Sequence, residues 1–306
     1  QYENIKNIHV VWFGGEPLLG IKQIESLYRK MILIPDKNYS FSIISNGFLI
    51  SPDIIKLFKE MKLQHIQITL DGLKETHNKI KFTKNENDTF SRTIKNIDLL
   101  ASSAPEIRIS IRVNMNKENS SEFITLYSFI LQRYKSNPLI GIYPAFITST
   151  SSKSSSSCSL LFNRQEKSEF IQQLYYDRGI VTNLCGYPDS SFTECSIRNK
   201  HTFTIDPEGY LYKCWEIIGD QKYAIAKLDS EGTIQSIDQK ILNRYLYAAD
   251  PLEDKTCSKC PYLPICFGGC PHKRIENIFK DKHYDTCTYL KGSLKEFIKI
   301  HLSQNS

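Results

Sequence analysis

Short apolar runs alternate with amphipathic stretches through the first half of the chain. Ile8 to Phe13 reads as a buried strand that ends in Gly14-Gly15. Ile21 to Ile34 then carries apolar residues at helical spacing. Phe41-Ser42-Ile43-Ile44 predicts a second strand, closing on Ser45-Asn46-Gly47. Ser51 as N-cap and Pro52 in the first turn open a helix that runs to Met61. His65 to Leu70 is a third strand, ending at Asp71-Gly72, and a polar loop follows. Phe90 to Leu100 predicts a helix, Ile107 to Val113 a strand, Glu118 to Tyr134 a helix and Leu139 to Ile147 a fifth strand. Repeated β–α units predict a parallel sheet covered by helices, with ligands at the carboxyl ends of its strands. Those ends carry Gly-Gly-Glu-Pro, Ser-Asn-Gly, Leu-Asp-Gly and Arg-Val-Asn.

The pattern then changes. Thr148 to Ser159 is serine-rich and without period, as a linker would be. Asn163 to Arg178 predicts a helix. Thr202 to Ile205 and Tyr210 to Tyr212 flank Asp206-Pro207-Glu208-Gly209, a hairpin signal. A short helix is expected near Ile234 to Tyr247, and an amphipathic helix from about Tyr289 to Leu302.

Composition narrows the class. The 306 residues are 41% hydrophobic and 24% charged, enough for a large core in an ordinary globular α/β protein. The net charge of +6 is scattered, with no dense basic run, so no nucleic-acid partner is expected. The apolar runs are strand-length, so no membrane association is expected, and no secretory signal is visible. The nine cysteines are an odd number, which fits metal-bound thiolates in a reducing cytoplasm better than a disulfide framework.

Seven of those cysteines form one spaced array: Cys195, Cys214, Cys257, Cys260, Cys266, Cys270 and Cys287. Thiolates are soft ligands that suit iron–sulfur clusters or zinc, and spacing alone leaves both metals open. Gly14 and Gly15 after a strand would let a ligand approach the backbone, and Glu16 could accept hydrogen bonds from an ammonium group. The plain alternative is a turn with a solvated carboxylate. Ser45, Thr69, Asp71 and Arg112 stand near other strand ends. They read either as binding groups or as turn formers and a structural ion pair. His77 in the polar loop and His272 after the cysteine block read as surface or supporting histidines. Trp215 and the tyrosine-rich stretches read as core or interface packing rather than a functional cage.

Together these residues resemble a radical S-adenosylmethionine (SAM) enzyme with a C-terminal SPASM domain, a peptide maturase-like group related to anaerobic sulfatase-maturating enzymes. Gly14-Gly15-Glu16-Pro17 is similar to the motif that contacts the SAM amino group. The segments around Ser45, Thr69-Leu70-Asp71-Gly72 and Arg112-Val113-Asn114 are similar to those that follow it. The cysteine pattern matches SPASM throughout: thirteen residues separate Cys195 from Gly209 and four more precede Cys214. Gaps of two, five and three residues follow between Cys257, Cys260, Cys266 and Cys270, and Cys287 closes the set.

The resemblance implies a partial (β/α)6 TIM-like barrel over 1–150, a linker and helix over 151–184, an auxiliary-cluster domain over 185–290 and a C-terminal helix over 291–306. It implies SAM held by Gly14, Gly15, Glu16, Ser45, Thr69, Asp71 and Arg112, and two auxiliary 4Fe–4S clusters. Cys257, Cys260, Cys266 and Cys287 would hold one cluster. Cys195, Cys214 and Cys270 would hold the other, with Cys185 the nearest candidate for its fourth ligand and Cys158 outside the set. The SAM-cleaving 4Fe–4S cluster of this family sits on a Cys-x-x-x-Cys-x-x-Cys loop. The chain contains no such loop, since its first cysteine is Cys158. The expectation is therefore an N-terminally truncated chain of an enzyme, or else a non-catalytic partner of a peptide maturation system.

The implied activity is post-translational maturation of a ribosomal peptide, such as a thioether or carbon–carbon crosslink. The implied partners are a peptide or protein substrate and an electron donor such as flavodoxin or ferredoxin. Sulfatase maturation is the lesser alternative, because Trp215 stands where that branch has aspartate.

Overall fold

The computed structural model describes residues 5–83, 87–148, 158–182 and 195–304. The chain divides into two compact units, 1–162 and 163–306.

Unit 1 is a five-stranded, all-parallel sheet in sequence order. Its strands are β1 (Asn7–Trp12), β2 (Asn38–Ser45), β3 (His65–Leu70), β4 (Arg108–Met115) and β5 (Ile140–Phe146). The connecting helices are α1 (Ile21–Met31), α2 (Pro52–Glu60), α3 (Lys74–Ile80), α4 (Thr89–Ser103) and α5 (Phe123–Arg133). Local chemistry starts several of them. Ser51 caps α2 by accepting from the Ile54 N–H, and Asp88 caps α4 by accepting from the Ser91 N–H.

The strands alternate, and the alternation has two different meanings. One face holds Phe41, Ile43, Ile66, Ile68, Leu70, Ile109, Ile111, Val113, Met115, Ile140 and Ile142, all buried. Helices cover this apolar face. The opposite face is polar across the strands. Pairing places His9 beside Ser40, Ser42 beside His65, Gln67 beside Ser110, Thr69 beside Arg112 and Arg112 beside Tyr143. These side chains bond one another: His9 Nδ1 to Ser40 Oγ at 2.7 Å, His9 Nε2 to Ser42 Oγ at 3.2 Å and His65 Nε2 to Ser110 Oγ at 2.9 Å. The Tyr143 hydroxyl donates to Gln67 Oε1 at 2.7 Å. A parallel sheet buried between two helical layers would read as continuous apolar runs. This one keeps a polar inner face, as a barrel wall around a polar ligand does.

Gly47 sits just beyond β2 at φ +74°, where an added Cβ would stand 3.0 Å from Ile68 Cγ2. Gly47→Ala is expected to cost about 1–2 kcal/mol from the left-handed backbone and the crowding together. Urea denaturation read by Trp12 fluorescence in a Trp215→Phe background isolates unit 1, since the chain has two tryptophans.

Unit 2 opens with α6 (Arg164–Arg178), started by an Asn163/Glu166 capping box and ended by Gly179 in the left-handed region. A four-stranded antiparallel sheet follows: β6 (Thr204–Ile205), β7 (Tyr210–Tyr212), β8 (Ala226–Leu228) and β9 (Ile234–Ile237). Asp206 shapes the β6–β7 turn, its Oδ1 accepting from the Glu208 and Tyr210 N–H groups. Then come α7 (Gln239–Asn243), a π-helical turn at Arg244–Ala248, α8 (Leu263–Cys266), α9 (Pro271–Lys280) and α10 (Leu294–Gln304). A core of Ile197, Tyr212, Ile217, Tyr245, Ala249 and Ile275 ties sheet to helices.

Four readings of local pattern change. Ile234–Ile237 is a strand, not the start of a helix, because pairing with β8 outweighs its local preference. Lys74–Ile80 is a helix where a polar loop was expected, and it buries His77 to 1% exposure. The last helix begins at Leu294, after the Gly292 turn, rather than near Tyr289. Trp215 is 56% exposed, which excludes the core half of its core-or-interface reading. Among the described residues no helix is long and apolar enough to cross a membrane.

Candidate functional site

Every SAM-site residue expected from sequence lies in or just beyond a strand of unit 1, at the carboxyl ends. Gly14, at φ +154°, and Gly15 follow β1, and no atom lies within 4 Å of where either Cβ would be. Their backbone is therefore an open cradle. Glu16 faces inward to the fold. Its Oε1 accepts from the Leu18 N–H at 3.0 Å and the Ser45 hydroxyl at 2.8 Å, and its Oε2 from the Asn46 N–H at 2.8 Å. It caps the 3-10 turn Pro17–Gly20 and welds the β1 end to the β2 end. Glu16 is thus more engaged than a solvated turn carboxylate, and it shapes the cradle from beneath.

Arg112 and Thr69 stand side by side on the polar inner face of β4 and β3. The Arg112 Nε is buried with no hydrogen-bond partner. A buried guanidinium N–H lacking an acceptor is poised for an anionic group. Asp71 is buried just beyond the end of β3. Its Oδ1 accepts from Asn114 Nδ2 at 3.2 Å, its backbone carbonyl accepts from Asn119 Nδ2 at 2.8 Å, and its Oδ2 is buried without a hydrogen bond. The Asp71 N–H donates to His77 Nδ1 at 3.3 Å, and burial pushes the His77 imidazole below its ordinary range. The structure therefore joins Glu16 to Ser45, pairs Thr69 with Arg112, and anchors Asp71. His77 and Asn119, which support Asp71, were not legible as its partners from sequence. Neither was the His9, Ser40, Ser42, His65, Ser110, Gln67, Tyr143 network, whose only signal was polar residues at every second strand position. The open Gly14-Gly15 cradle and the unmet Arg112 N–H fit a ligand that carries both an ammonium and a carboxylate, as SAM does.

In unit 2 the thiols fall into two neighbourhoods. Burial pushes the Cys214 thiol up to about 12, against the backbone hydrogen bond at Glu216, while the charges of Glu216, Cys270 and Cys195 add to the rise. Cys214 follows β7, Cys270 begins α9, and Cys195 precedes a 3-10 turn. The adjoining Lys213 is 3% exposed and donates to the Asn199 and Thr202 carbonyls, at 2.6 Å each. It straps the Cys195 segment to the strand that delivers Cys214.

The second neighbourhood is a run of turns. The Cys260 N–H donates to the Cys257 carbonyl, the Cys266 N–H to that of Tyr262, and the Gly269 N–H to that of Cys266. The returning strand of chain with Cys287 is pressed onto it. A Cβ on Gly269 would fall 1.8 Å from the Thr286 carbonyl oxygen, and the Gly292 N–H donates to the Tyr262 hydroxyl at 3.3 Å. Lys291 Nζ lies 3.6 Å from Cys287 Sγ. Among the described residues, no three His, Cys, Asp or Glu side chains converge as a finished metal cage. The donor set is all-thiol, which suits iron–sulfur or zinc. Cys185 lies outside the described residues, and Cys158 begins a 3-10 turn in unit 1.

Residues 2–130 match the sequence model of the Radical SAM superfamily. That match lies within unit 1. The radical SAM family binds SAM and 4Fe–4S clusters, and the matched residues include Gly14, Gly15, Glu16, Ser45, Thr69, Asp71 and Arg112. The cysteine-type anaerobic sulfatase-maturating enzyme of Clostridium novyi (strain NT) is 25% identical over 305 residues, covering 89% of this chain and 75% of that protein. Native anSMEcpe with bound AdoMet has a related fold, at a TM-score of 0.68 and 20% identity, covering 99% of this chain and 85% of that one. Streptococcus suis SuiB bound to precursor peptide SuiA aligns at a TM-score of 0.55 and 15% identity, over 92% of this chain and 64% of that one. Both folds extend past the radical SAM domain through the cysteine-bearing unit.

Proposed function

We propose that this chain acts in radical SAM maturation of a ribosomally made peptide or a protein, with unit 1 binding SAM and unit 2 holding two auxiliary 4Fe–4S clusters. One observation carries the reading: the match to the radical SAM model over residues 2–130 stands in one chain with a seven-cysteine array, Cys195 to Cys287. SAM and the clusters, when bound, supply one-electron chemistry that ordinary side chains lack. The protein's own residues bind and orient. Gly14 and Gly15 offer backbone to the SAM amino group, Glu16 and Ser45 hold that turn in shape, and Arg112 with Thr69 takes an anionic group. Asp71 is fixed by Asn114 and Asn119 at the neighbouring strand end. Cys257, Cys260, Cys266 and Cys287 hold one cluster. Cys195, Cys214 and Cys270 hold the other, with Cys185 proposed as the fourth ligand.

Likeness to the Clostridium novyi enzyme favours a second reading, sulfatase maturation. The exposed Trp215 directly after Cys214 favours the peptide reading, because that branch places aspartate there.

Two measurements test the proposal. Calorimetric titration with SAM is expected to show binding that weakens about tenfold in Arg112→Met, the cost of one charge-assisted hydrogen bond. Absence of SAM binding by the wild-type chain would end this reading. Co-production of a form that also carries the Cys-x-x-x-Cys-x-x-Cys loop with short peptides encoded beside its gene is expected to yield a product lacking a pair of hydrogens by mass spectrometry, whereas residues 1–306 alone, without those ligands, are expected to yield none. Conversion of a sulfatase-derived cysteine peptide instead would select the second reading.

A further inference from the structure

The second cysteine neighbourhood contains a buried cation aimed at a sulfur. Arg274 lies in the first turn of α9 and is 6% exposed. A guanidinium so buried needs acceptors on every side. Its Nε donates to the Ala249 carbonyl, its Nη2 to Asp254 Oδ2 and its Nη1 to Cys257 Sγ, each at 3.2 Å. Its own backbone N–H donates to the Cys270 carbonyl at 3.1 Å. One residue therefore touches both cysteine groups.

Asp254 completes the arrangement. Its Oδ1 accepts from the Thr256 and Cys257 N–H groups, at 2.8 and 2.9 Å, and so shapes the turn that presents Cys257. A neutral thiol is a weak acceptor for a buried guanidinium, whereas a metal-bound thiolate is a strong one. Hydrogen bonds and positive charge beside a cluster sulfur stabilise the more negative, reduced state.

We infer that Arg274 is a positioning residue that orients Cys257 Sγ and raises the reduction potential of the cluster held there, opposed by Asp254. The inference rests on the cluster reading above.

The test is an EPR-monitored redox titration of reconstituted protein in a Cys214→Ala background, which retains only the Cys257 cluster. Arg274→Met is expected to lower the reduced-to-oxidised ratio at fixed poise about tenfold, a shift of about 59 mV for one electron. Arg274→Lys should fall between. Asp254→Asn keeps an acceptor for both turn N–H groups but removes the opposing charge, so its potential should move upward. A merely structural role would not move the two variants in opposite directions. Unchanged potentials in iron-loaded variants overturn the inference and leave the cluster reading standing. Background protein that takes up no iron and sulfide removes both. Should Arg274→Met fail to fold, Asp254→Asn decides: an unchanged or lowered potential overturns the inference.

Discussion

Replacing Cys214 by alanine is expected to halve the iron and sulfide bound after anaerobic reconstitution, from about eight iron atoms per chain to about four. The expectation follows from the two thiol neighbourhoods. Cys214 is proposed to share a cluster with Cys195 and Cys270, while Cys257 is held by a separate turn and by Arg274. A cubane cluster that loses one of its few protein ligands is rarely retained, because each thiolate supplies both a bond and a fixed position. Cys257→Ala should remove the other half and leave the Cys214 site loaded. Cys158→Ala should leave the full complement. Iron and sulfide analysis with EPR checks all three. Full loading of Cys214→Ala would break the assignment, and colourless protein carrying zinc would replace iron–sulfur with a pair of structural metal sites.

Glu16→Ala is expected to destabilise unit 1 by about 2–4 kcal/mol and to abolish measurable SAM binding. The carboxylate is the shared acceptor of the Leu18 N–H, the Asn46 N–H and the Ser45 hydroxyl. Removing it leaves those donors to find water in a part-buried turn, at about 1–3 kcal/mol each before solvent recovers some of the loss. The Gly14-Gly15 cradle would lose the support beneath it. Glu16→Gln should be milder, since an amide oxygen can still accept on one side. Trp12 fluorescence in the Trp215→Phe background gives the stability change, and calorimetry gives the SAM affinity. Wild-type stability in Glu16→Ala would show that the β1 and β2 ends are held by other contacts.

Several features of this protein could be read before any coordinates. Parallel β–α units follow from apolar runs separated by helical spacing, and the five strands of unit 1 fall where that pattern puts them. Ser51 and Pro52 announce α2 because capping is local chemistry. Weaker signals lost to tertiary context. The polar run containing Lys74–Ile80 folds as a helix whose His77 is buried against Asp71, a contact that no local rule encodes. Ile234–Ile237 pairs with a strand whose presence is itself faint in the sequence.

The sequence alone determined the strand-end residues, the polar second positions of each strand and the seven-cysteine spacing, because these are properties of neighbouring residues and short periods. Tertiary structure alone decided that Glu16 closes on Ser45 and Asn46, that Arg112 keeps an unmet N–H and that Arg274 reaches Cys257. Each of those facts joins segments far apart along the chain. Hydrogen bonding and burial between distant segments are settled by packing, and packing depends on every element that surrounds them.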